Sequence, residues 1–187
     1  MNILSLPEIF ALADQARVAD TRPFSIRDLY PDIAPGDEYY KFIYLLTHAL
    51  QPSLIVELGV AGGKSLMHFA AGYPSARVIG IDPQDTYPLP SFPNIEMWQG
   101  FSVDMADRVA ALGIPIDLLF IDTDHTLRGT IGEYLAYSPL MRTGGIMLFD
   151  DIHLSTQMDE AWTWLPKPKY ELPLHSHCGF GMIVKDP

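Results

Sequence analysis

The chain has 187 residues, a formal net charge of −11 and an apolar content of 48%. This length predicts one domain with a sizeable core. The acidic balance, with only 12 Lys and Arg residues, argues against a nucleic acid partner. One cysteine, Cys178, excludes an internal disulfide and is typical of a reducing compartment. The sequence has neither an apolar run of about 18 residues nor a signal-peptide pattern, so we expect a cytoplasmic protein with no membrane partner.

Helices and strands alternate along the predicted chain. A helix over 7–19 and a proline-bearing surface segment over 20–36 precede a helix over 37–50. The predicted strands are 54–57, 77–81, 95–99, 116–121 and 145–149, and two antiparallel strands follow at 170–174 and 180–185. The helices between them are 64–71, 102–112, 129–141 and 155–164, the third ended by a left-handed glycine cap at Thr143-Gly144-Gly145. This order predicts a Rossmann-like, doubly wound α/β sheet, mostly parallel with an antiparallel C-terminal strand, and with helices on both faces.

A glycine-rich loop joins the first strand of this sheet to the next helix. Gly59, Gly62 and Gly63 carry no Cβ and therefore let backbone N–H groups approach a ligand closely. The loop does not match a phosphate-binding Walker loop, because Leu58 stands where that loop needs a glycine. It also fits a dinucleotide fingerprint poorly, because Ala61 replaces the middle glycine. The loop therefore indicates another kind of nucleoside cofactor.

Two acids flank this loop in the predicted sheet. Glu57 ends the first strand, where it would repel a pyrophosphate but could accept a hydrogen bond from the amino group of S-adenosylmethionine. Asp82 ends the second strand, where an acid suits the two hydroxyls of a ribose. The alternative is that both acids only cap helices or lie on the surface.

The segment Glu57-Leu58-Gly59-Val60-Ala61-Gly62-Gly63-Lys64-Ser65 resembles the loop of the catechol and caffeoyl-coenzyme A O-methyltransferases, within the class I S-adenosylmethionine-dependent methyltransferases. The resemblance extends from about residue 38 to residue 153. It covers none of the first 36 residues. We expect residues 37–187 to form the cofactor-binding domain, preceded by an N-terminal helix and lid-like segment over 1–36; the alternative is that this segment only packs against the domain. The resemblance implies Gly59, Ala61 and Ser65 around the methionine part, Asp82 at the ribose and Ser102 near the adenine, and we expect Glu57, Gly63 and Asp122 to bind the cofactor as well.

Three further acids follow the fourth and fifth strands. Asp122 ends the fourth strand, and Asp150 and Asp151 end the fifth. Because neighbouring parallel strands lie about 4.8 Å apart, these acids can converge on one point. Three carboxylates suit Mg²⁺, and without a cation they would repel one another. The alternative is that Asp150 or Asp151 caps the following helix.

The stretch Phe120-Ile121-Asp122-Thr123-Asp124-His125 resembles a motif of metal-dependent O-methyltransferases, and Leu148-Phe149-Asp150-Asp151 resembles their second ligand pair. The Asp-Asp version with a histidine is most similar to macrolide-sugar O-methyltransferases and cephamycin-type relatives. This resemblance implies Asp122, Asp150 and Asp151 as ligands of Mg²⁺ or another divalent cation, and His125 as general base. For His125 the alternative is a structural hydrogen bond, and His153 is a second candidate to touch metal or substrate.

The sequence therefore predicts an S-adenosylmethionine-dependent, metal-assisted transfer of a methyl group to a hydroxyl of a small-molecule acceptor. A homodimer is the expected oligomer. Two alternatives stay open: an enzyme of the cephamycin-hydroxylase-associated type with different chemistry, and a non-catalytic cofactor-binding partner subunit. An NAD-dependent oxidoreductase is disfavoured by the poor dinucleotide fingerprint and by Glu57.

Overall fold

The computed structural model describes residues 1–31, 37–84, 92–174 and 178–186. The last five residues of the predicted lid-like segment therefore lie outside the described residues. The helices are α1 (Leu6–Val18), α2 (Phe24–Leu29), α3 (Glu38–Leu50), α4 (Lys64–Gly72), α5 (Ala106–Ala110), α6 (Leu127–Tyr137) and α7 (Thr156–Trp164). The strands are β1 (Leu54–Leu58), β2 (Arg77–Asp82), β3 (Ile95–Gln99), β4 (Ile116–Ile121), β5 (Met141–Phe149), β6 (Lys169–Glu171) and β7 (Gly181–Val184).

The seven strands form one sheet in the order β3-β2-β1-β4-β5-β7-β6. The first five strands run parallel, and β7 is inserted antiparallel between β5 and β6. The strand order reverses between β1 and β4, and ligands bind in the crevice that such a switch point opens at the carboxyl ends of the strands. The predicted doubly wound sheet with an antiparallel C-terminal strand is confirmed.

Both faces of the sheet are buried, and alternate residues of each strand supply the two cores. On one face, Ile55 and Leu118 pack with apolar residues of α1, α3 and α4. On the other face, Val56 and Leu119 pack with residues of α5, α6 and α7. Burial on both faces explains why the central strands read as continuous apolar runs.

A buried aspartate fixes the amino ends of the central strands. Asp117 is fully buried, and its Oδ2 accepts hydrogen bonds from the backbone N–H of Ser53 at 2.6 Å and of Leu54 at 3.2 Å. Its Oδ1 lies 2.6 Å from Nε of Arg142. The start of β1 is thus held against β4 and β5 at the edge of the sheet opposite the glycine loop.

Several predicted boundaries are wrong. Strand β5 begins at Met141 instead of residue 145, and the strand predicted over 170–174 is Lys169–Glu171. The segment over 20–36 contains the short helix α2. The helix predicted to reach Met141 ends at Tyr137 and is followed by a 3₁₀ turn over Ser138–Leu140. Gly144 has a positive φ of +76°, but it lies within β5 and does not cap a helix. The register of β5 on β4 shifts between Ile116 and Leu118, next to this glycine. Within the described residues, no helix is long and apolar enough to cross a membrane.

Candidate active site

A cavity of about 450 Å³ lies at the carboxyl ends of β1, β2 and β4. This is the crevice that the switch point of the sheet creates. Five of the predicted cofactor-binding residues line it, namely Gly59, Ala61, Asp82, Ser102 and Asp122. The sheet therefore gathers residues that are more than 60 positions apart in the sequence around one space.

Asp82 shapes the glycine loop directly. Its Oδ2 accepts hydrogen bonds from the backbone N–H of Val60 at 2.9 Å and of Ala61 at 3.1 Å. Its Oδ1 accepts one from the N–H of Gln84 at 2.8 Å. A carboxylate has about four lone-pair sites, so acceptor capacity remains for a ligand in the cavity. Asp82 therefore joins the loops after β1 and β2 and also faces the cavity.

Gly59 is the point where the glycine loop meets the tip of β4. Its φ is +81°, and a Cβ placed there would overlap the backbone carbonyl oxygen of Asp122. Gly63, with φ +71°, occupies the left-handed position just before α4. At Gly62, by contrast, a Cβ would meet nothing within 4 Å. Of these three glycines, Gly59 and Gly63 are thus required by the backbone.

Glu57 and Ser65 lie beneath this loop instead of on the cavity wall. Glu57 is fully buried, and Ser65 Oγ donates a hydrogen bond to its Oε1. Among the described residues, its buried Oε2 has no hydrogen-bond partner. Burial raises the pKa of Glu57 well above its ordinary value. Their roles in binding a cofactor stay predictions.

Helix α6 contributes another acid, Glu133, to the cavity. Glu133 lines the cavity although only 2% of its surface is exposed. Ser102 Oγ donates to its Oε1 at 2.5 Å, and Thr123 Oγ1 donates to its Oε2 at 2.9 Å. The hydroxyl of Tyr137 also donates to the backbone carbonyl of Ser102 at 2.6 Å. Burial raises the pKa of Glu133 to about 7.

The predicted metal and base residues form a second group next to the cavity. Nε2 of His125 lies 3.3 Å from Oδ1 of Asp122 and 3.6 Å from Oδ2 of Asp151. Neither approach is aligned as a hydrogen bond, and this buried nitrogen has no hydrogen-bond partner within the part of the chain that the structure describes. The neighbouring Asp122 carboxylate raises the pKa of His125 above its ordinary value. Asp150 is buried, and burial together with the charges of Asp122 and Asp151 raises its pKa to about 8.

The backbone is strained where these groups lie. Four non-glycine residues among those described have a positive φ, and three of them are Ala61 at +42°, His125 at +51° and Asp151 at +53°. Such conformations cost of the order of 1–3 kcal/mol and persist where the surrounding structure enforces them. The strain is thus concentrated in the glycine loop and in the carboxylate cluster.

The donor set can be tested against a divalent cation. Across residues 1–31, 37–84, 92–174 and 178–186, no three metal-ligating side chains are arranged to hold an ion. The chemistry of Asp122, Asp150 and Asp151 nevertheless fits a hard cation, since burial and then the charges of Asp122 and Asp151 raise the pKa of Asp150, and a cation would offset that repulsion. The imidazole of His125 lies near two of the three carboxylates.

His153, the second histidine named from the sequence, has its partners outside the carboxylate cluster. His153 is partnered by Asp159, with 2.7 Å between Nδ1 and Oδ1, and lies 3.4 Å from Glu171. These contacts fasten the loop after β5 to α7 and β6. Burial, and then the charge of Asp150, raise the pKa of Tyr39 above its ordinary value. Its ring centroid is 4.0 Å from that of Tyr40.

The sequence reading missed Glu133 and Thr123. One signal for Glu133 was present: Thr130, Glu133 and Tyr137 have helical spacing and form the buried face of α6. An acid on the buried face of a helix requires partners, and these are the two hydroxyls that line the cavity. Thr123 lies in the predicted motif, but the sequence indicated roles only for its neighbours Asp122 and His125.

The sheet order and the cavity at its switch point define a Rossmann-like fold. Residues 56–152, just over half of the chain, match a protein family described as a methyltransferase domain, and the chain belongs to that family. The catechol O-methyltransferase of Mycobacterium tuberculosis is 28% identical over 136 residues, which cover 65% of this chain and 58% of that protein. The chain thus matches less than two thirds of the length of this relative.

Solved structures share the fold. The O-methyltransferase TomG from Streptomyces achromogenes, in complex with SAM, is similar with a TM-score of 0.65 and 17% identity over 100% of this chain and 93% of that one. The MycE methyltransferase of the mycinamycin pathway, in complex with Mg and SAH, has a TM-score of 0.57 and 21% identity over 72% of this chain and 41% of that one. At these identities the likeness establishes the fold.

Proposed function

We propose that the protein transfers a methyl group from S-adenosylmethionine to a hydroxyl of a small-molecule acceptor, with a divalent cation such as Mg²⁺ and with His125 as general base. The observation that carries this proposal is the position of Asp122. It lines the cavity and also lies 3.3 Å from His125 in the carboxylate cluster. A cofactor in the cavity and an acceptor at the cluster would therefore be neighbours.

Binding of the cofactor is assigned to the residues around the cavity. A ribose hydroxyl would donate to Oδ1 of Asp82, which keeps one free lone pair after accepting from Gln84, whereas Oδ2 already accepts from two backbone N–H groups. The methionine part would lie along Gly59 and Ala61, and the base between the loops after β3 and β4. This orientation directs the sulfonium methyl group toward Asp122 and the carboxylate cluster.

The reaction needs a deprotonated acceptor oxygen. Asp122, Asp150 and Asp151 would hold the cation. When bound there, the cation would lower the pKa of the acceptor hydroxyl. Nε2 of His125 takes the proton of that hydroxyl. A lone pair of the oxygen then forms the new bond to the methyl carbon while the carbon–sulfur bond breaks, leaving its electron pair on sulfur and S-adenosylhomocysteine as product. The cavity and the carboxylate cluster would hold the two reactants at the separation of about 3 Å that the transfer requires.

Methyl transfer can be tested with isotopically labelled S-adenosylmethionine, Mg²⁺ and a panel of phenols, catechols and sugars carrying free hydroxyls. We expect label in an ether product, no product with a chelator, and none with Asp150→Ala. The matched control is Asp159→Ala, which removes an exposed carboxylate outside the cluster. Turnover that persists in the chelator would contradict the role of the cation. Cofactor binding without transfer to any acceptor would favour the alternative of a non-catalytic partner subunit.

A further inference from the structure

Lys64 is a half-buried cation among aromatic rings. It directly follows the glycine loop as the first residue of α4. Its Nζ lies 4.9 Å from the ring centroid of Tyr40 and 5.5 Å from that of Tyr30. An ammonium group over an aromatic ring is attracted to the ring face. Tyr30 follows α2 and Tyr40 belongs to α3, so three separate parts of the chain meet at this ammonium group.

A buried histidine holds the backbone of Lys64. His68 is fully buried, which lowers its pKa to about 4 and keeps its ring neutral at neutral pH. Its Nδ1 donates to the carbonyl oxygen of Lys64 at 2.6 Å, so the lone pair of Nε2 faces Nη1 of Arg22 at 3.3 Å. The same ring stacks on Tyr40, with 5.4 Å between the centroids. The first turn of α4 and the ring under the ammonium group are thus fixed together.

Among the described residues, this ammonium group forms no ion pair, although the chain has 23 Asp and Glu residues against 12 Lys and Arg residues. A half-buried cation gains more from an anionic partner than an exposed cation does, because protein screens the attraction less than water. The two aromatic rings supply only part of that stabilisation. The charge of Lys64 is therefore available to an anionic ligand.

The rings of Tyr40 and Tyr39 form a row from Lys64 toward the end of β5. Their centroids are 4.0 Å apart, and Tyr39 stacks on Phe180 at 5.3 Å. Phe180 precedes β7, which pairs with β5 where that strand ends and Asp150 follows. Burial, and then the charge of Asp150, raise the pKa of Tyr39. The row therefore connects the unpaired cation with the carboxylate cluster.

We propose that Lys64 determines the acceptor class, and that the acceptor is a small hydroxy acid whose anionic group binds to Lys64. This inference rests on the proposed function, which places the acceptor hydroxyl at the carboxylate cluster. The anionic group accepts a charge-assisted hydrogen bond from Nζ, and the body of the acceptor lies beside the ring of Tyr40. The ammonium group offsets the repulsion between an acidic acceptor and the carboxylates.

Matched acceptors that differ in charge test this inference. Protocatechuate is compared with its uncharged amide, and glucuronate with glucose, in methyl transfer from labelled S-adenosylmethionine. The measured quantity is the kcat/KM of the acid divided by that of its neutral counterpart. For at least one pair, we expect this ratio to be about 10- to 100-fold higher in the wild-type protein than in Lys64→Met, which keeps an apolar stem over the rings. Comparing the two proteins cancels the intrinsic reactivity of each hydroxyl. Lys64→Arg keeps the charge and should keep the ratio.

Lys41→Met serves as the matched control. It removes one positive charge from α3, at the residue after Tyr40, and should leave the ratio unchanged. If Lys64→Met also leaves the ratio unchanged, the inference is wrong. It is equally wrong if Lys64→Met weakens S-adenosylhomocysteine binding in calorimetry and slows both acceptors alike, because Lys64 then serves the cofactor. Transfer to neutral acceptors alone would overturn the inference and leave the proposed function standing. Absence of label in every acceptor would refute both.

Discussion

Glu133 is a buried acid that lines the cavity, and replacing it with Gln tests how its burial affects folding stability. Burial raises the pKa of Glu133 from the ordinary 4.5 to about 7. Between these values the folded protein holds a proton that the unfolded chain releases. The free energy of unfolding therefore falls as the pH rises through this range. At about 1.4 kcal/mol for each pKa unit, the difference between 4.5 and about 7 gives an upper bound of about 3–4 kcal/mol.

Glu133→Gln has nearly the same shape and does not titrate. We compare the free energy of unfolding of Glu133→Gln minus that of the wild-type protein at the two ends of this range. We expect this difference to increase by about 1–3 kcal/mol from pH 4.5 to pH 8. Urea unfolding of both proteins across this range, followed by circular dichroism, measures the difference. Other raised carboxyls, such as Glu57 and Asp150, contribute to the slope of both proteins and cancel from the difference.

Glu96→Gln is the control for this measurement. Glu96 lies on β3, and its ion pair with Arg77 lowers its pKa, so any pH-dependent difference from wild type should be small and of opposite sign. A difference between wild type and Glu133→Gln that stays constant from pH 4.5 to 8 would refute the reasoning. It would mean that the carboxyl of Glu133 is hydrated in the folded state and titrates as in the unfolded chain.

Three further substitutions have expected outcomes. Gly59→Ala should abolish cofactor binding or destabilise the fold by at least about 3 kcal/mol, whereas Gly62→Ala should be nearly neutral, as calorimetry and urea unfolding of the pair would show. Asp117→Ala should lower the free energy of unfolding by about 2–4 kcal/mol because it leaves two backbone N–H groups without their acceptor; a loss below about 0.5 kcal/mol in urea would contradict this. Asp82→Ala should weaken S-adenosylhomocysteine binding about 10- to 100-fold in calorimetry, and unchanged affinity would count against its ribose role.

The strands were predictable because the parallel sheet is buried on both faces. Ile116–Ile121 has an apolar residue at five of its six positions, and such a run has no other stable place in a domain of this size. The exception, Asp117, is buried through its partners in Ser53, Leu54 and Arg142, and these lie far away in the sequence. Local sequence could not reveal them.

The sequence predicted Asp122 at the end of β4 and Asp150 and Asp151 at the end of β5, and the structure places them directly after these strands. Their roles stay predictions, and their geometry could not be read from the sequence. The position of His125 near both Asp122 and Asp151 depends on left-handed backbone at His125 and Asp151, which non-glycine residues rarely adopt. The end of α6 was predicted wrongly because Gly144 and Gly145 resemble a helix cap in sequence. In the structure they lie where the pairing of β4 and β5 is irregular.

The approach of Gly59 to the carbonyl oxygen of Asp122 also limits how the protein can vary. Most steric conflicts in a core can be relieved by shortening the opposing side chain. Here the opposing atom belongs to the main chain, which every amino acid carries, so no replacement at position 122 makes room for a side chain at position 59. A combinatorial library that varies both positions together should therefore return glycine at 59 whatever residue it accepts at 122.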